Sequence, residues 1–76
     1  MPHAEINCYP GRTEEQKKKC AEKIAQDIAE ILGCQMSSVS VAIREIGQND
    51  WKQQVWDTKI IPAEKELYVR PGYTCE

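Results

Sequence analysis

The sequence predicts an α/β (α+β) protomer: one β-α-β unit with parallel strands, short C-terminal helices, and a sheet completed by oligomerisation. Three observations carry this. Residues 3–9 and 39–46 each alternate with period two, and between them runs a segment of helical period, about 20 residues long, that opens on a capping box and ends on a glycine. A strand, a helix and a strand in that order form a crossover unit whose strands run parallel.

In HAEINCY, Ala4, Ile6 and Cys8 point one way while His3, Glu5 and Asn7 point the other, as a half-buried strand requires. Pro10-Gly11 breaks the strand. Thr13 to Gln16 then form a capping box: the Thr13 hydroxyl accepts from the Gln16 backbone N–H, and the Gln16 side chain reaches back to Thr13. Cys20, Ile24, Ile28, Ile31 and Leu32, with Ala21 and Ala25, make one apolar stripe. Lys17-Lys18-Lys19, set among Glu14, Glu15 and Glu22, reads as a solvated face of the same helix. Gly33 supplies a left-handed end.

The turn CQMSS leads to VSVAIREI, in which Val39, Val41 and Ile43 alternate with Ser40, Ala42 and Arg44. Beyond it, Asp50 is placed to cap a short helix carrying Trp51, Val55 and Trp56. Pro62 is placed to start another, reaching about Val69, with KELYVR as a short strand the alternative. Two tryptophans so close together anchor a core or an interface.

Seventy-six residues make a single domain, 1–76, with no repeat or linker to divide it. A chain of this size buries only about 60% of its unfolded surface, so its core needs a supplement. Cys8, Cys20, Cys34 and Cys75 are widely spread, contain no C-x-x-C pair and are joined by only one histidine, His3, so the spacing of a metal site is missing. The N-terminus lacks a basic stretch followed by an apolar one, and the expected location is the cytoplasm, with free thiols. A net charge of -2, with basic residues interleaved among acidic ones, argues against a nucleic-acid partner. No apolar stretch approaches the about 20 residues of a membrane span. Oligomerisation is the supplement left.

One feature is chemical. Pro2 directly follows Met1, a start from which methionine is often removed, leaving proline as a free secondary amine able to act as a base. The plain alternative is that Pro2 begins an edge strand, where its missing N–H costs nothing.

Proline after Met1, Gly11-Arg12 before a T-E-E-Q-K helix start, and a second strand opening on Ser-Ser-Val together resemble the 4-oxalocrotonate tautomerase family, without an obvious gap from Pro2 to about Trp51. The ending, W-x4-W-D-x2-I-x-P with a terminal P-G-Y, is similar to a short dimeric branch of that family rather than to the glycine-rich hairpin of its hexamers. The resemblance implies a keto-enol tautomerase in which Pro2 is the general base and then the acid. Arg12 would hold the substrate carboxylate, as a planar guanidinium does in a way lysine cannot. Ser40 stands where the hexameric enzymes carry a second arginine, which argues against a dicarboxylic substrate and for a monocarboxylic 2-oxo acid such as the enol of phenylpyruvate. Trp51 matches an aromatic residue that lines the site. The implied partner is a second copy of the chain, as a homodimer, with a hexamer open; no cofactor and no metal are implied. His3 lies outside this set, since strand alternation turns it from Pro2. The same residues leave two alternatives open. One is a hydratase or dehalogenase on unsaturated acids, with Tyr9, Glu5 or Glu45 activating water; the other is a non-catalytic oligomeric module if Met1 stays.

Overall fold

Strands β1 (His3–Cys8) and β2 (Ser40–Glu45) pair in parallel, His3 facing Ser40 and Cys8 facing Glu45. They belong to a computed structural model that describes residues 1–76. This register sorts the side chains as alternation requires: Ala4, Ile6, Val41 and Ile43 on one face, all half-buried, and His3, Glu5, Ser40, Ala42 and Arg44, all exposed, on the other. Each strand is shorter than its alternating run, because Tyr9, Val39 and Ile46 fall outside the ladder.

Helix α1 (Glu14–Leu32) joins the strands. Both halves of its capping box are made: the Gln16 N–H donates to Thr13 Oγ1 at 3.1 Å and the Thr13 N–H donates to Gln16 Oε1 at 2.8 Å. Gly33 ends it at φ 73°, ψ 52°, with its N–H on the Ala29 carbonyl, a conformation that a side chain would strain. The helix packs against β2, yet none of its residues is buried. Ala21, Ile24, Ala25 and Ile28 are half-buried, whereas Cys20, Ile31 and Leu32 are exposed, so the predicted stripe exists but its two ends are uncovered.

Lys17 departs from the solvated face assigned to it. Its side chain is only 18% exposed and its Nζ bridges Glu14 at 2.6 Å and Glu45 at 3.5 Å, tying the first turn of α1 to the end of β2. The hydrogen bond to Glu14 first, then the charges of Glu14 and Glu45, raise its pKa above the ordinary 10.5 against an opposing desolvation.

The chain forms two compact units, Met1–Glu45 and Ile46–Glu76. In the second, a 3-10 turn at Gln48–Asp50 runs into a π-helix over Lys52–Ile60. Asp50 is therefore not a cap: its own N–H donates to the Gly47 carbonyl at 2.9 Å, and a capping residue must stand outside the helical conformation that Asp50 already shares. Two local interactions accompany the wider helix. Thr58 Oγ1 donates to the Gln54 carbonyl at 2.6 Å, engaging an acceptor that an α-helix gives to the amide four residues on. Lys52 Nζ meets the Asp57 carboxylate at 3.0 Å, a pairing five residues apart that i→i+5 winding brings into line. Ile61 N–H correspondingly donates to the Trp56 carbonyl at 3.0 Å.

The predicted helix from Pro62 to Val69 is reduced to one 3-10 turn, Glu64–Glu66, with Leu67 extended. Ile61 is still helical at φ -61°, ψ -48°, so Pro62 stands at the end of one helix rather than the start of another, and so short a segment cannot sustain a helix alone. KELYVR forms no strand. The three buried apolar side chains of the chain, Ile46, Val55 and Trp56, all belong to this unit.

Candidate active site

Of the four residues the sequence singles out, two meet. Pro2 lies half-buried at the entrance to β1, and its carbonyl accepts a hydrogen bond from the Ser40 N–H at 3.2 Å. The N-terminal end of β1 is thus tied to the start of β2 through the proline's carbonyl, which leaves the proline nitrogen out of the ladder. Met1, which acylates that nitrogen, is fully exposed.

Ser40 is not alone on its face. Its Oγ is 2.6 Å from His3 Nδ1, and the other ring nitrogen, Nε2, is 3.5 Å from Glu5 Oε1. The alternation that turns His3 away from Pro2 is the same alternation that sets it against Ser40, because the register pairs the two residues. The sequence leaves His3 outside the site when β1 is considered by itself; its contact with Ser40 follows from the parallel pairing of two strands that begin near these residues. Further along the same face, Glu5, Asn7, Ala42 and Arg44 line a shallow hollow.

Arg12 is exposed in the loop between β1 and α1, where its Nη1 donates to the Tyr9 carbonyl at 3.2 Å. That bond uses one of the five N–H donors of a guanidinium. Gly11, at φ 125°, makes the turn that precedes it. Arg12 does not join Pro2: six residues of β1, roughly 20 Å at strand rise, separate the two ends at which they stand.

Trp51 belongs to the second unit. It is half-buried, and its Nε1–H donates to the Tyr73 hydroxyl at 3.2 Å. The Tyr73 ring lies 5.4 Å from that of Trp56, tilted by 40°, so the two tryptophans and Tyr73 form one aromatic group. Trp56 is 9% exposed and forms part of the core, in agreement with the sequence reading.

The four cysteines are free thiols. No three His, Cys, Asp or Glu side chains are grouped to hold a metal ion, and no helix is long and apolar enough to cross a membrane.

A parallel β-α-β unit that leads with a proline and carries the arginine before a capped helix defines a class, and comparison with known proteins agrees with it. The family model described as tautomerase enzyme matches residues 2–56, and the chain belongs to the tautomerase family. It is similar to a protein named Tautomerase PptA of Enterobacter sp. (strain 638), with 47% identity over 75 residues covering 97% of this chain and 99% of the relative. Tautomerase PptA of Cronobacter sakazakii (strain ATCC BAA-894) is 38% identical over 74 residues, covering 96% and 97%. A protein named Probable tautomerase of Xylella fastidiosa (strain 9a5c) is 37% identical over 73 residues, covering 96% and 89%. The chain is accordingly an isomerase of the keto-enol tautomerase kind.

Proposed function

We propose that this tautomerase ketonises the enol of a small monocarboxylic 2-oxo acid with an apolar or aromatic tail, phenylenolpyruvate being the model substrate, and that Pro2 carries the proton. Once Met1 is removed, the neutral secondary amine of Pro2 takes the proton from the enol oxygen. As the C=O bond forms, the resulting ammonium delivers that proton to the adjacent carbon, so base and acid are restored in one turnover. Arg12 binds the carboxylate, Ser40 hydrogen-bonds the substrate at the enol end, and Trp51 limits water at the reacting atoms. The observation that supports this reading is the anchoring of Pro2 by its carbonyl, a bond that does not involve the nitrogen that removal of Met1 would expose.

Pro2 and Arg12 stand at opposite ends of β1, so the reading requires two copies. Both edges of the two-stranded sheet are open. Antiparallel pairing of β1 with β1 of a second copy would set the start of one strand beside the end of the other. The proline of one protomer would then work with the arginine of its partner, in an isologous dimer with two equivalent sites. The uncovered apolar groove along Ile24, Ile28, Ile31 and Leu32 of α1 supports an oligomer, as does the absence of any buried residue in that helix. Within such an assembly residues 1–76 act as one domain in the cytoplasm.

The test is ketonisation of phenylenolpyruvate by protein whose mass shows the loss of Met1, followed as loss of the enol's ultraviolet absorbance. Turnover that collapses in Pro2→Ala and weakens in Arg12→Ala supports the assignment. Turnover unchanged in Pro2→Ala refutes the proline base, and none above buffer in the clipped protein refutes the substrate class.

A further inference from the structure

Resting on the reading that Ser40 meets the substrate, we propose that His3 is a positioning residue: it sets the direction in which the Ser40 hydroxyl presents its proton. The geometry is a chain of three groups on the exposed face of the strand pair. Glu5 Oε1 lies 3.5 Å from His3 Nε2, and His3 Nδ1 lies 2.6 Å from Ser40 Oγ. A hydroxyl has one proton and two lone pairs, and at this distance one of the two atoms, Nδ1 or Oγ, must donate to the other.

The carboxylate of Glu5 decides which one while the ring is neutral. Being an acceptor only, it favours the tautomer with the proton on Nε2. Nδ1 then holds a lone pair and accepts the Ser40 proton, so Ser40 can offer a substrate only its lone pairs. When the ring takes up a second proton, Nδ1–H donates to Ser40 Oγ while Nε2–H faces the nearby negative charge of Glu5. The Ser40 hydroxyl is released to point its own proton outward, at a substrate oxygen. His3 thereby converts Ser40 from acceptor to donor without any movement of the backbone.

The other charged groups on this face are few. β2 contributes Arg44, four residues beyond Ser40 and lining one hollow with Glu5; the Pro2 amine formed once Met1 has gone adjoins His3 in the chain just before β1. Ser40, standing where the hexameric relatives have an arginine, is on this view a donor that can be withdrawn, where an arginine is always on.

The chain has one histidine, which makes the proposal directly measurable. Long-range ¹H–¹⁵N NMR of the clipped protein reports the protonation of both His3 ring nitrogens across pH. The expected result is a neutral ring protonated on Nε2, with this preference reduced in Glu5→Gln and the Nδ1 shift changed in Ser40→Ala. A neutral ring protonated on Nδ1, or a spectrum indifferent to Ser40→Ala, overturns the proposal. The kinetic readout is the ratio of wild-type kcat/KM to that of Ser40→Ala, in which the common titration of Pro2 largely cancels. It should rise from about one where His3 is neutral to about ten where it is charged, the worth of one hydrogen bond to an oxygen gaining charge. In His3→Asn the ratio should lose its pH dependence; a ratio already flat in wild type overturns the proposal. Absence of turnover in the clipped wild type sinks the proposed reaction instead, and the ring spectrum then decides the His3–Ser40 geometry by itself.

Discussion

Mixing two impaired variants should restore activity. If the site joins Pro2 of one protomer to Arg12 of its partner, Pro2→Ala and Arg12→Ala damage different halves of it. Refolding them together produces mixed dimers in which one site has lost both residues and the other has kept both. With random assortment about half the dimers are mixed and one of their two sites is intact, so the mixture should recover about a quarter of wild-type turnover. The basis of the expectation is the length of β1: its six residues hold the two positions roughly 20 Å apart within a chain, too far for one small substrate to touch both. The assay is phenylenolpyruvate ketonisation before and after co-refolding at equal concentrations, each variant refolded alone as control. A mixture no more active than the better of its parents would refute the two-copy site and leave Arg12 either without a role or served by a different arrangement.

Four further outcomes follow from local geometry. Thr13→Ala removes the acceptor of the Gln16 N–H and should cost about 1 kcal/mol, lowering Tm by roughly 4–8 °C at this chain length, as read by circular dichroism. Gly33→Ala forces a side chain into a left-handed residue and should cost about 1–2 kcal/mol, although an added Cβ there meets no neighbour; an unchanged urea midpoint would show that α1 ends elsewhere in solution. Trp56→Ala empties the largest buried side chain and should destabilise by about 3–5 kcal/mol, with loss of near-ultraviolet dichroism before loss of helix. The pKa of Lys17 is raised by Glu14 and Glu45, so its contribution to stability is complete below its ordinary 10.5 and is lost as pH climbs through the raised value. Alkaline denaturation of Lys17→Met should accordingly lack the part of the pH slope that lies above 10.5, and an identical slope would show that the bridge to Glu45 adds nothing.

The β-α-β unit was legible because each of its signals is local and redundant. The Thr13–Gln16 box and Gly33 fix α1 to the residue, and alternation fixes both strands to within a residue or two. Residues 47–76 were legible only in part. Trp56 reads as a core residue from its size, but the π-winding around it, accompanied by the Thr58 hydroxyl bond and the Lys52–Asp57 pair, is something periodicity does not register. Lys17 was misread because the charge pattern of α1 shows Glu14 but not Glu45, which the register of β2 brings to it. The site followed the same rule. Pro2 and Arg12 stand out as residues, Ser40 stands out by what it replaces, and His3 becomes visible only when the two strands are laid side by side.

The bond from the Ser40 amide to the Pro2 carbonyl bears on when the molecule begins to work. That bond uses the side of the proline that methionine does not touch, so removing Met1 takes away neither its donor nor its acceptor. With Pro2 as the proposed base, a single peptide hydrolysis would then switch on a site whose strand pairing is already in place. On that proposal the enzyme stays silent until Met1 is removed. For the experimenter, a tag at the N-terminus should then leave the protein folded but inert, whereas the same tag after Glu76 should leave the removal of Met1 untouched.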